Sequence, residues 1–128
     1  MKIKTYSITL TAAVLGLASV FSLFSGCGGG SDKNTIAFVT NGVDPFWDLC
    51  AAGVSMAEKE FGIGCEVHMP TKGVVDQKRI MESLVAKGIK GIAISPVDAE
   101  NQKSFFNEIA QNTKLITHDS DAPTSNRI

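Results

Sequence analysis

The first residues in this chain that could do chemistry are Asp44, Phe46 and Trp47, a carboxylate followed closely by two large aromatic side chains. Carboxylates accept hydrogen bonds from paired hydroxyls, and aromatic faces pack on the C–H side of a ring, so the trio suits a polyol ring. A purely structural use is also open, with Asp44 as a helix N-cap worth about 1 kcal/mol and both rings in the core. Two large aromatics directly above a strand end are oddly placed for core alone. The roles are also compatible, since each carboxylate oxygen can serve one of them.

Similar polar groups close the other β-rich runs. Thr40 and Asn41 end the first, His68 and Pro70 the second, Ser95 and Pro96 the third, and His118-Asp119-Ser120-Asp121 the fourth. Asp119 follows directly on its run, whereas Asp121 comes two residues later beside Ala122-Pro123, which makes Asp119 the stronger ligand candidate. Its alternative use is as a turn carboxylate bonding its own backbone. Ser95 precedes a proline and is therefore held extended, aiming its hydroxyl or carbonyl beyond the strand end; a plain strand-ending turn explains it equally. Thr40 repeats that pattern more weakly.

The same residues exclude other chemistries. His68, His118 and Asp119 come from separate strand ends without close ligand spacing, a poor metal pattern, and both histidines read as ordinary strand-end residues. No glycine fingerprint opens the first helix, and no phosphate loop with Lys and Ser or Thr is present, which argues against dinucleotides and nucleoside phosphates. Gly28 to Gly30 precede the first strand and cannot serve. A phosphoacceptor carboxylate is missing after the third strand, where Ser95 stands, and no nucleophile and base are paired. The residues predict binding rather than catalysis, with no cofactor.

The elements that position these groups alternate from Thr35 onward, giving an α/β chain with an open parallel sheet and helices on both faces. In such sheets ligands bind beyond the carboxyl ends of the strands, which is where the polar clusters fall. Thr35 to Thr40 is an apolar, β-branched run suited to a strand covered on both sides. Asp44 and Pro45 open a helix to about Phe61, with Leu49, Gly53, Ala57 and Phe61 predicted on one inward stripe and Gly62 as the stop. Cys65 to Met69 alternates, as at a sheet edge. Asp76 begins a helix through Lys87, with Ile80, Met81, Leu84 and Val85 inward and Gly88 closing it. A strand over Ile89 to Ile94, a helix over Asp98 to Asn112 with Phe105, Phe106, Ile109 and Ala110 apolar, and a strand over Lys114 to Thr117 complete the pattern.

The first part of the chain has a different character. Lys2 and Lys4 flank an apolar stretch from Ile8 to Phe24, followed by Ser25 and Gly26, which reads as an export signal over residues 1–26. A membrane-spanning helix is the alternative, but the stretch is near the minimum of about 17 residues and is followed by Gly28-Gly29-Gly30-Ser31 rather than a positive stop. Residues 27–34 read as an anchor point and flexible linker, and 35–128 as one small domain. Twelve Lys plus Arg against thirteen Asp plus Glu give a net charge of −1 without like-charge runs, so nucleic acid is not an expected partner. Of three cysteines, Cys50 and Cys65 lie in apparent helix and strand; they could pair in an oxidising envelope, although buried free thiols are expected.

Leu23-Phe24-Ser25-Gly26-Cys27 resembles a bacterial lipobox, departing from it at Phe24 where Leu is usual. That resemblance implies acylation of Cys27 and a lipid-anchored protein of the cell envelope, in the periplasm or on the outer face of the membrane. Three further segments, Ile36 to Trp47, Ile92 to Asp98 and Leu115 to Pro123, resemble the periplasmic sugar-binding proteins of the ribose and galactose type, the receptors of sugar ABC importers. The resemblance covers Thr35 to Ile128 and implies the first lobe of a type I periplasmic binding protein, a clamshell that closes on a monosaccharide and docks to a permease. A sugar receptor coupled to a signalling kinase is the alternative. Family ligand positions fall on Thr40, Asp44, Phe46, Trp47, Ser95 and Asp119. Ribose-type members usually carry Asn where Asp44 and Ser95 stand and Arg where Ser120 stands, so ribose is not the ligand expected, and Asp44 is nearer the galactose-type pattern. The resemblance further implies that Ile128 falls before the crossing to a second lobe, so half of the cleft is expected to lie outside these residues.

Overall fold

The computed structural model describes residues 34–128, so the export signal and Cys27 lie outside the described residues. Four strands, β1 (Thr35–Val39), β2 (Gly64–His68), β3 (Gly91–Ile94) and β4 (Lys114–Thr117), alternate with three helices, α1 (Pro45–Phe61), α2 (Gly73–Ala86) and α3 (Lys103–Asn112). All pair in parallel in the order β2-β1-β3-β4. The alternating second strand is at the edge, as its pattern predicts.

Side chains on β1 alternate between the two faces of the sheet. Ala37 and Val39 join Ile92, Ile94 and Leu115 against Met81 and Leu84 of α2 and Phe105, Phe106 and Ile109 of α3, forming one dry core. Ile36, Phe38, Cys65 and Ala93 turn to the other face, where Val54 and Ala57 of α1 approach them. This second face is only partly covered. A hollow of about 490 Å³ lies over Ile36, Ala93 and Ile116, and Ile116 is 44% exposed.

The predicted stripe on α1 is corrected by the structure. Leu49 and Phe61 are exposed and Gly53 has open space beside it; of the predicted stripe Ala57 alone turns inward, together with Trp47, Cys50 and Val54. The helix carries apolar residues on two stripes at helical spacing, so periodicity alone cannot choose between them. Its ends behave as expected: Asp44 is extended and its side chain caps Phe46, while Gly62 takes a left-handed φ of 64° and its N–H bonds Glu58 O.

Three other boundaries move for local reasons. α2 starts at Gly73 rather than Asp76, because Asp76 sits inside the first turn and reaches back to accept from Thr71 N at 2.8 Å. α3 starts at Lys103 rather than Asp98, because Asp98 bonds Asn101 through both carboxylate oxygens and holds a turn there. β3 begins at Gly91, since Ile89 N is still bonded to Leu84 O at the end of the preceding helix. Cys50 and Cys65 are free and half-buried rather than fully buried; burial foremost, then the Glu58 carboxylate, pushes the Cys65 thiol up.

Candidate functional site

The strand ladder continues one residue past the ends of β1, β3 and β4, which fixes the carboxyl rim. Thr40 N donates to His68 O, Ser95 N to Val39 O, and His118 N to Ile94 O, all between 2.9 and 3.0 Å. The groups predicted from sequence therefore start from a rigid edge. Ser95 is fully buried and its Oγ donates to Asp119 Oδ2 at 3.0 Å. Asp119 itself has a φ of 59°, the left-handed region that a non-glycine residue rarely adopts. The turn it makes pairs His118 with Ser120 and leaves the carboxylate exposed above the rim.

Asp121, the weaker candidate by position, is occupied elsewhere. It accepts from the Thr117 hydroxyl at 2.6 Å and from Ala122 N, and it pairs with Arg127 at 2.9 Å. The Thr117 hydrogen bond, helped by Arg127, holds its carboxyl below the usual range.

The two aromatics separate. Phe46 is 53% exposed and Trp47 only 4%. Trp47 meets Phe46 edge-on at 4.8 Å, Phe38 at 6.1 Å and His118 at 5.7 Å, and its Nε1 donates to Asn41 Oδ1 at 3.1 Å. Its ring is thus a floor under the rim, with Phe46 standing above it. Asp44 accepts from Phe46 N at 2.8 Å with one oxygen, and its other oxygen accepts no hydrogen bond among the described residues. Thr40 is fully buried and its hydroxyl donates to Gly42 O, so its side chain shapes the loop rather than facing outward.

His118, by its sequence an ordinary strand-end residue, belongs to this cluster. Its ring stacks on Phe38 at 4.2 Å with 14° between planes, and its Nε2 is buried without a hydrogen-bond partner. The signal was the β4 alternation, which places Ile116 and His118 on the α1 side with Phe38. Burial is the main cause holding the His118 imidazole below its ordinary value, against the opposing pull of the Ala93 and Val39 backbone and, last, the charge of Asp119. An unfolded chain takes up this proton near pH 6.5, the native chain only at lower pH, so the unfolded state binds more protons in between. Stability from the neutral ring is complete above about pH 6.5 and is lost as pH falls toward the native value. His118→Phe keeps the stack and removes the proton. Its thermal midpoint should fall less between pH 6.5 and 5 than that of the natural chain, and parallel slopes would place the dependence elsewhere.

These groups gather at the carboxyl ends of the strands. Asp44 and the exposed Phe46 follow β1, Ser95 follows β3 and holds Asp119 after β4, and the rings of Phe38, Trp47 and His118 pack together among them. The model of the periplasmic binding protein domain matches residues 36–128.

The chain belongs to this family.

Its parallel sheet with helices on both faces is part of the type I periplasmic binding protein fold. The chain is 28% identical to an ABC transporter solute-binding protein from Burkholderia graminis C4D1M, solved in complex with D-arabinose, with a TM-score of 0.69 over 76% of this chain and 34% of that one. It is equally 28% identical to GanP, a glucose-galactose binding protein from Geobacillus stearothermophilus, with a TM-score of 0.67 over 74% and 35%. XylFII, in its complex with LytSN, is 25% identical with a TM-score of 0.66 over 75% and 36%. The chain spans about a third of the length of these solved structures. No curated protein matches it by sequence.

Proposed function

We propose that this chain supplies one wall of a cleft for a neutral monosaccharide in an exported solute-binding lipoprotein that delivers its ligand to a sugar ABC importer. The observation that carries the reading is the pairing of Asp119 with Ser95 across the rim from the exposed Phe46 and Asp44. Two carboxylates offer acceptors to ring hydroxyls, and the Phe46 face offers apolar packing to ring C–H groups. The same two charges repel anionic sugars from this wall. The solved relatives described as binding arabinose and as glucose-galactose binding support the substrate class. Nothing in the proposed role is enzymatic, since the carboxylates bind and orient.

In this reading residues 1–26 direct export, Cys27 carries the lipid, residues 27–34 are the tether and 35–128 the first lobe, working in the periplasm or on the outer face of the membrane. Calorimetry of the complete gene product against pentoses and hexoses should give saturable heat with at least one neutral sugar. Silence across the whole panel would refute the reading. A second reading, a sugar sensor coupled to a signalling kinase, draws on the likeness to XylFII in its complex with LytSN. Permease and ATPase genes beside this one favour import, and a sensor kinase gene favours signalling.

A further inference from the structure

We infer that Gln77, in the second turn of α2, is the positioning residue that sets the spacing between the two central strand ends of the rim. Its side chain is fully buried. The amide Nε2 donates to Thr40 O at 2.9 Å and to Ser95 O at 2.8 Å, so its two protons go to the ends of β1 and β3. Its Oε1 accepts from Val97 N at 3.3 Å and from Gln102 Nε2 at 3.0 Å. Gln102, equally buried, then accepts from Asp98 N at 2.9 Å.

A glutamine amide has two protons to donate and one oxygen able to accept twice, and Gln77 uses all four. No other common side chain of that length supplies both halves. A carboxylate has no proton for the carbonyls, and methionine has neither protons nor a good acceptor. The bonded carbonyls belong to residues whose neighbouring groups form the site. Ser95 carries the hydroxyl that holds Asp119, and Thr40 opens the loop to Asn41 and Asp44. The spacing of carboxylates across the rim is thus relayed from one amide on the helix below, without Gln77 touching a ligand.

The assignment rests on the reading of this rim as a sugar wall, and two measurements keep the claims apart. In Gln77→Glu at pH 8 the new carboxylate repels both carbonyls, and sugar affinity of the complete gene product should fall at least tenfold under conditions where the variant is fully folded. At pH 5 a buried carboxyl, its pKa raised by desolvation, is protonated and can donate to one carbonyl, so part of the affinity returns. Gln77→Met should show the loss with no recovery at either pH. A lowered thermal midpoint with unchanged affinity in both variants would overturn the assignment, because a merely structural residue behaves that way. Amide hydrogen exchange gives the second test, which needs no ligand. Exchange at Val97 and Asp98 should quicken in Gln77→Met relative to the β4 amides, because the acceptor for Val97 N and Gln102 Nε2 is gone, and should stay slow in Gln77→Glu, whose carboxylate still accepts; unchanged exchange in the Met variant would also overturn the assignment, whatever the sugar result. A natural protein that binds no sugar while these amides quicken would refute the sugar reading and leave the bracing supported.

Discussion

Trp47→Ala is expected to lower folding stability by about 3–5 kcal/mol, the range for removing a buried large aromatic side chain. The magnitude follows from its surroundings. Trp47 is 4% exposed and is packed by Phe38, Phe46 and His118, and its indole N–H has a protein acceptor in Asn41. Truncation removes the transfer term, opens a cavity under the rim and leaves Asn41 without its donor. Phe46→Ala makes the contrast. That ring is 53% exposed, so stability should change by less than about 1 kcal/mol, while sugar affinity of the complete gene product drops by roughly two- to tenfold, the worth of one aromatic packing contact. Denaturant titration and calorimetry on both variants separate floor from contact. A Trp47→Ala protein of natural stability with only its affinity reduced would reverse the two roles.

Two substitutions of Asp119 should lose the same affinity yet differ in stability. Removing its carboxylate deletes a charge-assisted acceptor worth about 1.5–3 kcal/mol, or roughly 10- to 150-fold in affinity. Asp119→Ala and Asp119→Gly should share that loss. In stability they should differ, because the residue sits at a φ of 59°. A left-handed conformation strains a side chain with a Cβ by about 1–2 kcal/mol, which glycine does not feel. Glycine also loses more chain entropy, about 0.5–1 kcal/mol, and both variants lose the hydrogen bond from Ser95. The expected order of midpoints is therefore the natural chain first, Gly next and Ala lowest, with natural and Gly within about 1 kcal/mol of each other. Equal midpoints for Gly and Ala would show that the turn relaxes in the variants and that the carboxylate is not held there under strain. A left-handed carboxylate at a strand end is the kind of local strain that fixed binding geometry tends to retain.

The architecture was readable because its signals are local and agree with each other. The β-branched run of β1, the Asp-Pro opening of α1, Gly62 at its end and the alternation of β2 each have one backbone solution. Errors arose where one residue type has two uses. Asp76 and Asp98 both look like helix starts, yet one caps from inside its helix and the other closes a turn before its helix begins. On α1, Leu49, Gly53 and Phe61 recur at helical spacing just as Trp47, Cys50 and Val54 do, and the spacing does not tell which row is buried. At the site, Asp44, Phe46, Ser95 and Asp119 could be seen as polar or aromatic residues just beyond strand ends. Two participants, Gln77 and His118, could not. Gln77 is a glutamine in a helix, a position usually given to solvent, and only three-dimensional pairing shows that its amide reaches two strand ends. Thr40 looked ligand-facing because it closes a strand, but its hydroxyl meets Gly42 in the loop that follows.

The unequal cover of the sheet has a practical consequence for whoever handles these residues alone. One face is sealed by α2 and α3, whereas the other leaves Ile116 exposed in its hollow, and Leu49, Met56 and Phe61 are exposed on α1. Exposed apolar side chains of this kind draw molecules together. Residues 35–128 carry nine Lys plus Arg against twelve Asp plus Glu, a net charge of −3 and only modest mutual repulsion, so these apolar side chains weigh heavily in the colloidal behaviour of the isolated segment. Dilute solutions, low salt and mild surfactant suit it, and a single added carboxylate at Leu49 or Ile116 should do more for its solubility than any change on the α2 and α3 side.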